Sequence, residues 1–360
     1  MSNRRDFLAR AAAAGLVAAA NHTGLVAART SGRDSELPMK RYKIANTGLE
    51  VSRIAYGCGD LGGNDEHLSS DTIEKAVILI SIACDHGITL FDHSDVYKDG
   101  RSETTFGEVL KRVPGLRNRV VIQSKCGLST TPDPLLTDSP AVDLSRAHIL
   151  RAVEGSLKRL DVDHLDILLL HWPDALAEPE EIAGAFDDLA RAGKVRYFGL
   201  SNHTVGQIEL LRKFVHQPLI TNQIHIGLNY CLPIADGPEY PNGEHVLTNG
   251  ILDYCRLHDI RVQAWSPLRG DLLNPPASAS PQIKEVAELL SQLAARKITT
   301  PSAIALAWLL RHPAGIIPVI GATNPAHIAE NCAADKLELS RQEWYALYFA
   351  AMKLQSRHTI

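Results

Sequence analysis

Between Ile54 and Gly321, short and densely apolar runs return at near-regular intervals, each followed by a longer stretch whose apolar positions carry helical spacing or its polar complement. The runs cover residues 54–58, 89–93, 120–125, 166–171, 197–201, 219–224, 261–266 and 316–321. Their near-continuous hydrophobicity, without strict alternation, predicts strands covered on both faces, as in a parallel sheet. Helices are predicted between them, among them 71–86 with Asp71 as N-cap, 145–160, 180–192 closed by Gly193, and 301–311 with Pro301 in its first turn. Upstream, 41–44 and 50–54 flank Asn46-Thr47-Gly48 and predict a β-hairpin.

Eight buried strands each followed by a helix predict a closed (β/α)8 barrel more than an open doubly wound sheet. No GxGxxG follows the first strand, which argues further against the dinucleotide-binding open sheet. The irregular stretches 129–143, 229–245 and 269–281 each follow a strand, so in a barrel they stand at the C-terminal rim.

With 360 residues, 45% hydrophobic and 22% charged, the chain has room for one barrel domain of ordinary composition. A net charge of -4 supplies no basic field, which argues against nucleic acid and against an anionic membrane surface as partners. The N-terminus has a different character. Asn3-Arg4-Arg5-Asp6-Phe7-Leu8 has the twin-arginine pattern, and residues 9–20 form a small-residue, weakly apolar segment too short to span a bilayer. Residues 1–30 therefore read as a Tat export signal, 31–39 as a linker and 40–360 as the barrel domain, with cleavage expected after Ala20 or Ala28. This makes the Tat translocase a partner during export and the periplasm the expected location. The alternative is an uncleaved alanine-rich tail on a cytoplasmic protein. No later segment is apolar enough for stable membrane insertion. Cys58, Cys84, Cys126, Cys231, Cys255 and Cys332 form no CxxC pair, so free buried thiols are expected and no metal site, although an exported protein could oxidise a pair.

Barrel chemistry sits at strand ends. Strand two ends at Asp92, with Tyr97 five residues beyond it; strand three ends Gln123-Ser124-Lys125-Cys126-Gly127; strand four ends His171-Trp172-Pro173-Asp174. Each is ordinary alone: a packed aromatic, a snorkelling lysine, a rim histidine. On consecutive strand ends they bring an acid, a phenol, an amine and an imidazole to one face. An ammonium beside a phenol stabilises the phenolate and is expected to lower its pKa from about 10, with Asp92 holding the ammonium charged and aimed. His171 can then orient a carbonyl oxygen or share the proton, which describes general acid catalysis on a carbonyl. Asp95, beyond the strand end, is expected to make a local turn or rim contact.

These residues, with Gly193-Lys194-Val195-Arg196, Gly199-Leu200-Ser201-Asn202, Asn222-Gln223, Trp265-Ser266-Pro267-Leu268 and Gly321-Ala322-Thr323-Asn324 in order, resemble the aldo-keto reductase family from about Arg41 to about Met352. The resemblance implies that Asp92, Tyr97, Lys125 and His171 are catalytic. Tyr97 would donate the proton as a reduced nicotinamide delivers hydride to an aldehyde, ketone or sugar-like carbonyl. It also implies that Ser201, Asn202 and Gln223 hold the nicotinamide amide, that the ring stacks on Trp265, where tyrosine is common, and that the diphosphate runs along Ser266, Leu268 and Gly270, with Pro267 also in the cofactor site. Gly57 and Cys58 join the expected cofactor site, and Gly321, Ala322, Thr323, His327, Glu330 and Asn331 take its adenosine end. Here the chain departs from a common family pattern, because Gly321 and Ala322 supply no cation and His327 stands where an arginine would clamp a 2'-phosphate. NADP(H) is the expected cofactor, with NAD(H) open.

For the small-molecule carbonyl or alcohol substrate, Trp172 and Tyr230 are expected to line an aromatic pocket with Leu228, Tyr240 and His245. Two other readings stand beside this one. The barrel could be a nucleotide-binding regulatory subunit, as the family's potassium-channel beta subunits suggest, or Lys125 could form a Schiff base as in barrel aldolases.

Overall fold

The computed structural model describes residues 38–63, 68–129, 141–234 and 250–355. The expected export signal, all but the last two residues of the expected linker, Tyr240 and His245 lie outside the described residues. From Met39 onward the chain forms one compact unit.

It opens with an antiparallel hairpin, β1 (Arg41–Lys43) and β2 (Glu50–Ser52), in which Tyr42 pairs with Val51. Strands β3 (Ala55–Gly57), β4 (Leu90–Asp92) and β5 (Val121–Cys126) follow, then a short antiparallel pair β6 (Leu128–Ser129) and β7 (Ala141–Val142). After these come β8 (Leu165–Leu170), β9 (Val195–Ser201), β10 (Leu219–His225), β11 (Arg261–Trp265) and β12 (Ile317–Ile320). Strands β3, β4, β5, β8, β9, β10, β11 and β12 pair in parallel and close, with Val319 of β12 against Ala55 of β3. The architecture is the expected (β/α)8 barrel with an N-terminal hairpin, and each of the eight apolar runs supplies one barrel strand.

The dense apolar runs follow from burial on both faces: all six residues of β8 are buried. Alternate side chains separate into two sets. Phe91, Ile122, Leu168 and Leu170 face the helices, while Ala55, Leu90, Ile167, Leu169, Ile317 and Val319 form a smaller cluster inside the barrel. Ile44 and Val51 of the hairpin join this inner cluster, so the hairpin closes the N-terminal mouth. Above that apolar floor the inward positions turn polar. One irregularity decides a member of that layer: the β9–β10 register slips by one residue between Leu219 and Asn222. Ile220 packs in the inner cluster, and after the slip Gln223 rather than Asn222 points inward.

Helix caps explain the element boundaries. The helix Ser70–Asp85 is capped by Ser69, which accepts from Thr72 N, and not by the expected Asp71; Asp71 sits in the first turn, where the helix dipole favours an anion. Ser145 caps Arg146–Leu160 through His148 N, and Thr300 caps Pro301–Leu310 through Ala303 N. Pro179–Arg191 ends before Gly193, whose φ of +70° suits glycine. All three stretches expected to be irregular hold structure. A turn of helix, Gly270–Leu273, lies within 269–281, a 3-10 turn, Leu232–Ile234, lies within 229–245, and β7 with the last residue of β6 lies within 129–143. All six cysteines are free, five of them buried. Among the described residues, no helix is long and apolar enough to cross a membrane, and no group of three or more His, Cys, Asp or Glu side chains is gathered to hold a metal ion.

Candidate active site

Asp92 is the last residue of β4 and Lys125 the last but one of β5, so both enter the barrel at its C-terminal end. Tyr97 is held by its loop. Tyr97 N donates to Ser94 O at 3.2 Å, and Gly100 N donates back to Tyr97 O at 3.1 Å. Three consecutive left-handed residues, Lys98, Asp99 and Gly100, then turn the chain into the helix Arg101–Arg112.

Lys125 Nζ donates to Asp92 Oδ2 at 2.8 Å, to His93 O at 2.9 Å and to Tyr97 Oη at 3.0 Å. The Lys125 side chain has no exposure to solvent. Burial works to lower its pKa, but Asp92 and Tyr97 outweigh it and raise the pKa above the ordinary lysine value. With its pKa raised and its protons shared among three acceptors, the ammonium offers no free lone pair for a Schiff base in this arrangement.

The expected lowering of the Tyr97 pKa is not what the geometry yields. Burial raises it first, Lys125 pulls it down and Asp92 pushes it up, leaving it above 10. The phenol is therefore a protonated donor at neutral pH, and Lys125 serves by stabilising the negative charge left on the phenol oxygen when the proton departs.

His171 follows β8, with its ring edge-on to Tyr97 at a centroid distance of 5.9 Å and 87°. Its Nδ1 lies 3.0 Å from Ser94 Oγ, and burial together with Lys125 lowers its pKa to about 3. Beneath the four groups runs a polar layer. Gln123 Nε2 donates to Asp92 Oδ1 at 2.6 Å and to Gln263 Oε1 at 2.9 Å, and Gln223 Nε2 donates to the same Gln263 oxygen at 2.8 Å.

On the opposite wall, Asn202 takes a left-handed φ of +62°. Its Nδ2 donates to His171 O and to Ser201 Oγ, each at 3.1 Å, while Ser201 Oγ donates to Gln223 O at 2.9 Å. Trp265 Nε1 donates to Asn202 Oδ1 at 2.8 Å, which fixes the indole plane. One face of that indole stacks on His225 at 4.2 Å, and His225 stacks in turn on Tyr230 at 4.7 Å.

A cavity of about 720 Å³ joins these groups. Of the expected site residues, Gly57, Asp92, Tyr97, His171, Trp172, Ser201, Asn202, Gln223, Trp265, Ser266, Pro267, Leu268, Gly321, Ala322, His327, Glu330 and Asn331 line it. Lys125 lies behind Tyr97. Cys58, Gly270, Thr323 and Tyr230 are not on the lining. Cys58 follows Gly57, so strand alternation turns it into the core between strands and helices. Gly270 opens the short helix, and Leu273 and Asn274 at its end form the wall instead. Thr323 is exposed before the helix Pro325–Cys332, and Tyr230 is spent on the His225 stack. Leu228, expected at the rim, is buried.

The sequence reading missed Gly59, Asp60 and the Thr300-Pro301-Ser302 corner of the lining. Thr300-Pro301 was legible as a helix start, but not which way that start faces. It also missed Glu103, a buried carboxylate that accepts from Ser124 Oγ at 2.6 Å and from Arg159 Nε at 2.7 Å. Among the described residues no Lys or Arg lines the cavity; its acidic members are Asp60, Asp92 and Glu330. Asn331 also lines the cavity, and its Oδ1 is buried without a hydrogen-bond partner among the described residues, which leaves an open acceptor.

The family model described as "Aldo/keto reductase family" matches residues 53–348. The chain is similar to 6-dehydroglucose reductase of Novosphingobium aromaticivorans, 35% identical over 324 residues that cover 88% of this chain and 97% of the relative. It is as similar to oxidoreductase YdhF of Escherichia coli, 35% identical over 320 residues, covering 87% and 98%. Among solved structures it is similar to the glycerol dehydrogenase AKR11B4 from Gluconobacter oxydans, with a TM-score of 0.73 and 25% identity over 89% of this chain and 97% of that one.

Proposed function

Because the chain belongs to the aldo/keto reductase family of oxidoreductases, we propose that it moves hydride between NADP(H) and a small aldehyde, ketone or sugar-like carbonyl, with Tyr97 as general acid. The observation that carries the proposal is Lys125 Nζ fastened between Asp92 Oδ2 at 2.8 Å and Tyr97 Oη at 3.0 Å, behind the cavity lining that Asp92 and Tyr97 supply.

The residues fit a nicotinamide dinucleotide. The partnerless Asn331 Oδ1 suits an adenine amino group, and the oriented indole of Trp265 suits a planar ring. Ser201, Asn202 and Gln223 would hold the carboxamide, Ser266 to Leu268 the diphosphate, and Gly321, Ala322, His327 and Glu330 the ribose side. When bound, the reduced cofactor supplies the hydride. This chain's own groups do the rest: Tyr97 gives the carbonyl oxygen its proton, Lys125 stabilises the charge left on the phenol oxygen, Asp92 keeps Lys125 aimed, and His171 orients the oxygen. Trp172, half exposed at the mouth, offers an aromatic wall to the substrate. The relatives' names, 6-dehydroglucose reductase and glycerol dehydrogenase, support a sugar-like or polyol substrate.

NADP(H) follows the family's usage. The lack of a lining Lys or Arg leaves the 2'-phosphate to His327 and neighbouring polar groups, so NAD(H) remains competitive. Dissociation constants for both, measured by quenching of tryptophan fluorescence, test this; tighter binding of NADH than of NADPH overturns the assignment. A screen of aldehydes and keto-sugars with wild type beside Tyr97→Phe tests the reaction. Equal rates in the two sink the mechanism, and cofactor binding without turnover of any carbonyl favours the regulatory-subunit reading.

The Arg4-Arg5 pair supports export through the Tat route, which carries folded proteins with their cofactor inside and would place the enzyme in the periplasm. Arg4→Lys/Arg5→Lys should retain the protein in the cytoplasm on fractionation. Periplasmic protein that is always free of nucleotide would count against loading before export.

A further inference from the structure

Ser94 is wholly buried, and its single hydroxyl proton has competing acceptors. Ser94 Oγ lies 3.0 Å from His171 Nδ1, 3.2 Å from Asp95 Oδ1 and 3.5 Å from Lys125 O. Burial first, then Lys125, lower the His171 pKa to about 3, so the ring is neutral with one proton near pH 7; it lines the cavity, and its Nε2 has no hydrogen-bond partner among the described residues. The contacts at Ser94 therefore decide what Nε2 presents to the cavity.

We propose that Ser94 and Asp95 are a positioning pair that sets which nitrogen of His171 carries the proton, and so whether His171 offers the reacting oxygen a donor or an acceptor. The proposal rests on the reading of His171 as the group facing that oxygen.

Two arrangements satisfy the contacts among Ser94, Asp95 and His171, and neither uses the longer 3.5 Å approach to Lys125 O. With Asp95 ionised, the Ser94 hydroxyl donates to Asp95 Oδ1, accepts from His171 Nδ1–H, and leaves the Nε2 lone pair in the cavity. With Asp95 protonated, the carboxyl donates to Ser94 Oγ, Ser94 donates to Nδ1, and the ring proton sits on Nε2. Passing from the first to the second takes one proton from solvent onto Asp95 and moves one from Nδ1 to Nε2. An Nε2–H donor joins Tyr97 in polarising a carbonyl, as reduction needs. A bare Nε2 accepts from a substrate hydroxyl, as oxidation needs.

Both arrangements are within reach at neutral pH. Burial first, then the buried Glu103 on the helix Arg101–Arg112, raise the Asp95 pKa to about 7, against Ser94 and against Arg159 on the helix Arg146–Leu160. From β5, Lys125 and the buried thiol of Cys126 are the remaining titratable groups on this side, and Asp95 N is tied to Lys125 O at 3.1 Å. Asp95 is thus more than the turn contact its position in the loop suggested.

The test uses the full chain labelled with nitrogen-15 histidine, with the His171 resonances identified by their loss in His171→Gln. The expected result is Nε2–H at one pH unit below about 7 and Nδ1–H at one unit above it. In Asp95→Asn and in Ser94→Ala the ring should show no change of tautomer over that range. The kcat/KM for carbonyl reduction by Ser94→Ala should fall about tenfold at unchanged cofactor affinity, with Ser94→Thr restoring most of it. If Ser94→Ala does not fold, Asp95→Asn alone reads the same loss of pH response. A tautomer that never shifts in wild type, or that shifts equally in Asp95→Asn, overturns the proposal. Neither result depends on turnover, so the failure of the hydride-transfer reading, marked by an active Tyr97→Phe, is told apart from the failure of this one.

Discussion

Gln123 and Gln263 exchange a pair of amide hydrogen bonds across the barrel interior, Gln123 Nε2 to Gln263 Oε1 at 2.9 Å and Gln263 Nε2 to Gln123 Oε1 at 2.7 Å. Their strands, β5 and β11, are not neighbours in the barrel, so the pair is a strut between opposite walls. Its ends reach Asp92 and Gln223, joining the floor of the proton-donating site to the wall proposed for the nicotinamide.

Gln263→Leu strands the amides of Gln123 and Gln223 in a buried layer. The expected destabilisation is about 1–3 kcal/mol by urea unfolding, with weaker cofactor binding. Gln123→Leu/Gln263→Leu should cost less than the two single changes added together. Strict additivity would show that the two amides do not act as a unit.

Lys125→Met leaves Asp92 as a buried anion without its ion partner, a loss of about 3–5 kcal/mol. Adding Asp92→Asn should return a good part of that stability and none of the activity. A double variant no more stable than Lys125→Met would show that the pair's charge is not what stabilises the floor.

Because the Tyr97 pKa lies above 10, the phenol keeps its proton through neutral and mildly alkaline pH. Apart from a step near pH 7 where Asp95 changes which nitrogen of His171 carries the proton, carbonyl reduction should stay flat in pH until that raised value is approached. Alcohol oxidation needs the phenolate and should climb about tenfold per pH unit below it. Tyr97→Phe should lower kcat in both directions by at least about 100-fold. An oxidation rate that levels off near pH 8 would assign the limb to another group.

His93 and His203 are buried, with pKa values lowered to about 3 and about 4, chiefly by burial; Lys125 adds to the effect at His93. In the unfolded chain each takes up a proton near pH 6.5, which the folded chain refuses. Lowered folded values mean that their contribution to stability is complete above about pH 6.5 and is lost as pH falls toward about 4. The expected slope is up to about 1.4 kcal/mol per pH unit for each. His171 and His312, lowered to about 3 and about 4, add to the same slope, while the raised pKa of Asp95 acts in the opposite sense and offsets about one of the four. The slope in Asp95→Asn should therefore be steeper than in wild type. His93→Leu should flatten it, and should also stabilise the protein at neutral pH by about 1 kcal/mol, since neither ring nitrogen of His93 has a hydrogen-bond partner among the described residues.

The eight strands were legible because a strand covered on both faces must be apolar along its length, a property of the sequence alone. So were Asp92, Tyr97, Lys125 and His171, because a parallel barrel brings the C-terminal ends of its strands to one rim whatever their separation in the chain. What alternation could not tell was phase and depth. The register slip between Leu219 and Asn222 turned Gln223 inward, and the same parity carried Cys58 out of the cavity. Nor does local pattern encode contact across a closed barrel: Gln123 meets Gln263 at a separation of 140 residues, and Ser94 meets His171 at 77. The direction of the Tyr97 pKa was settled by burial, which the list of its charged neighbours does not contain. Which residues reach the rim followed from their order along the chain. Which atoms meet there, and which proton each one holds, was decided by closure of the barrel and by the depth at which it sets each group.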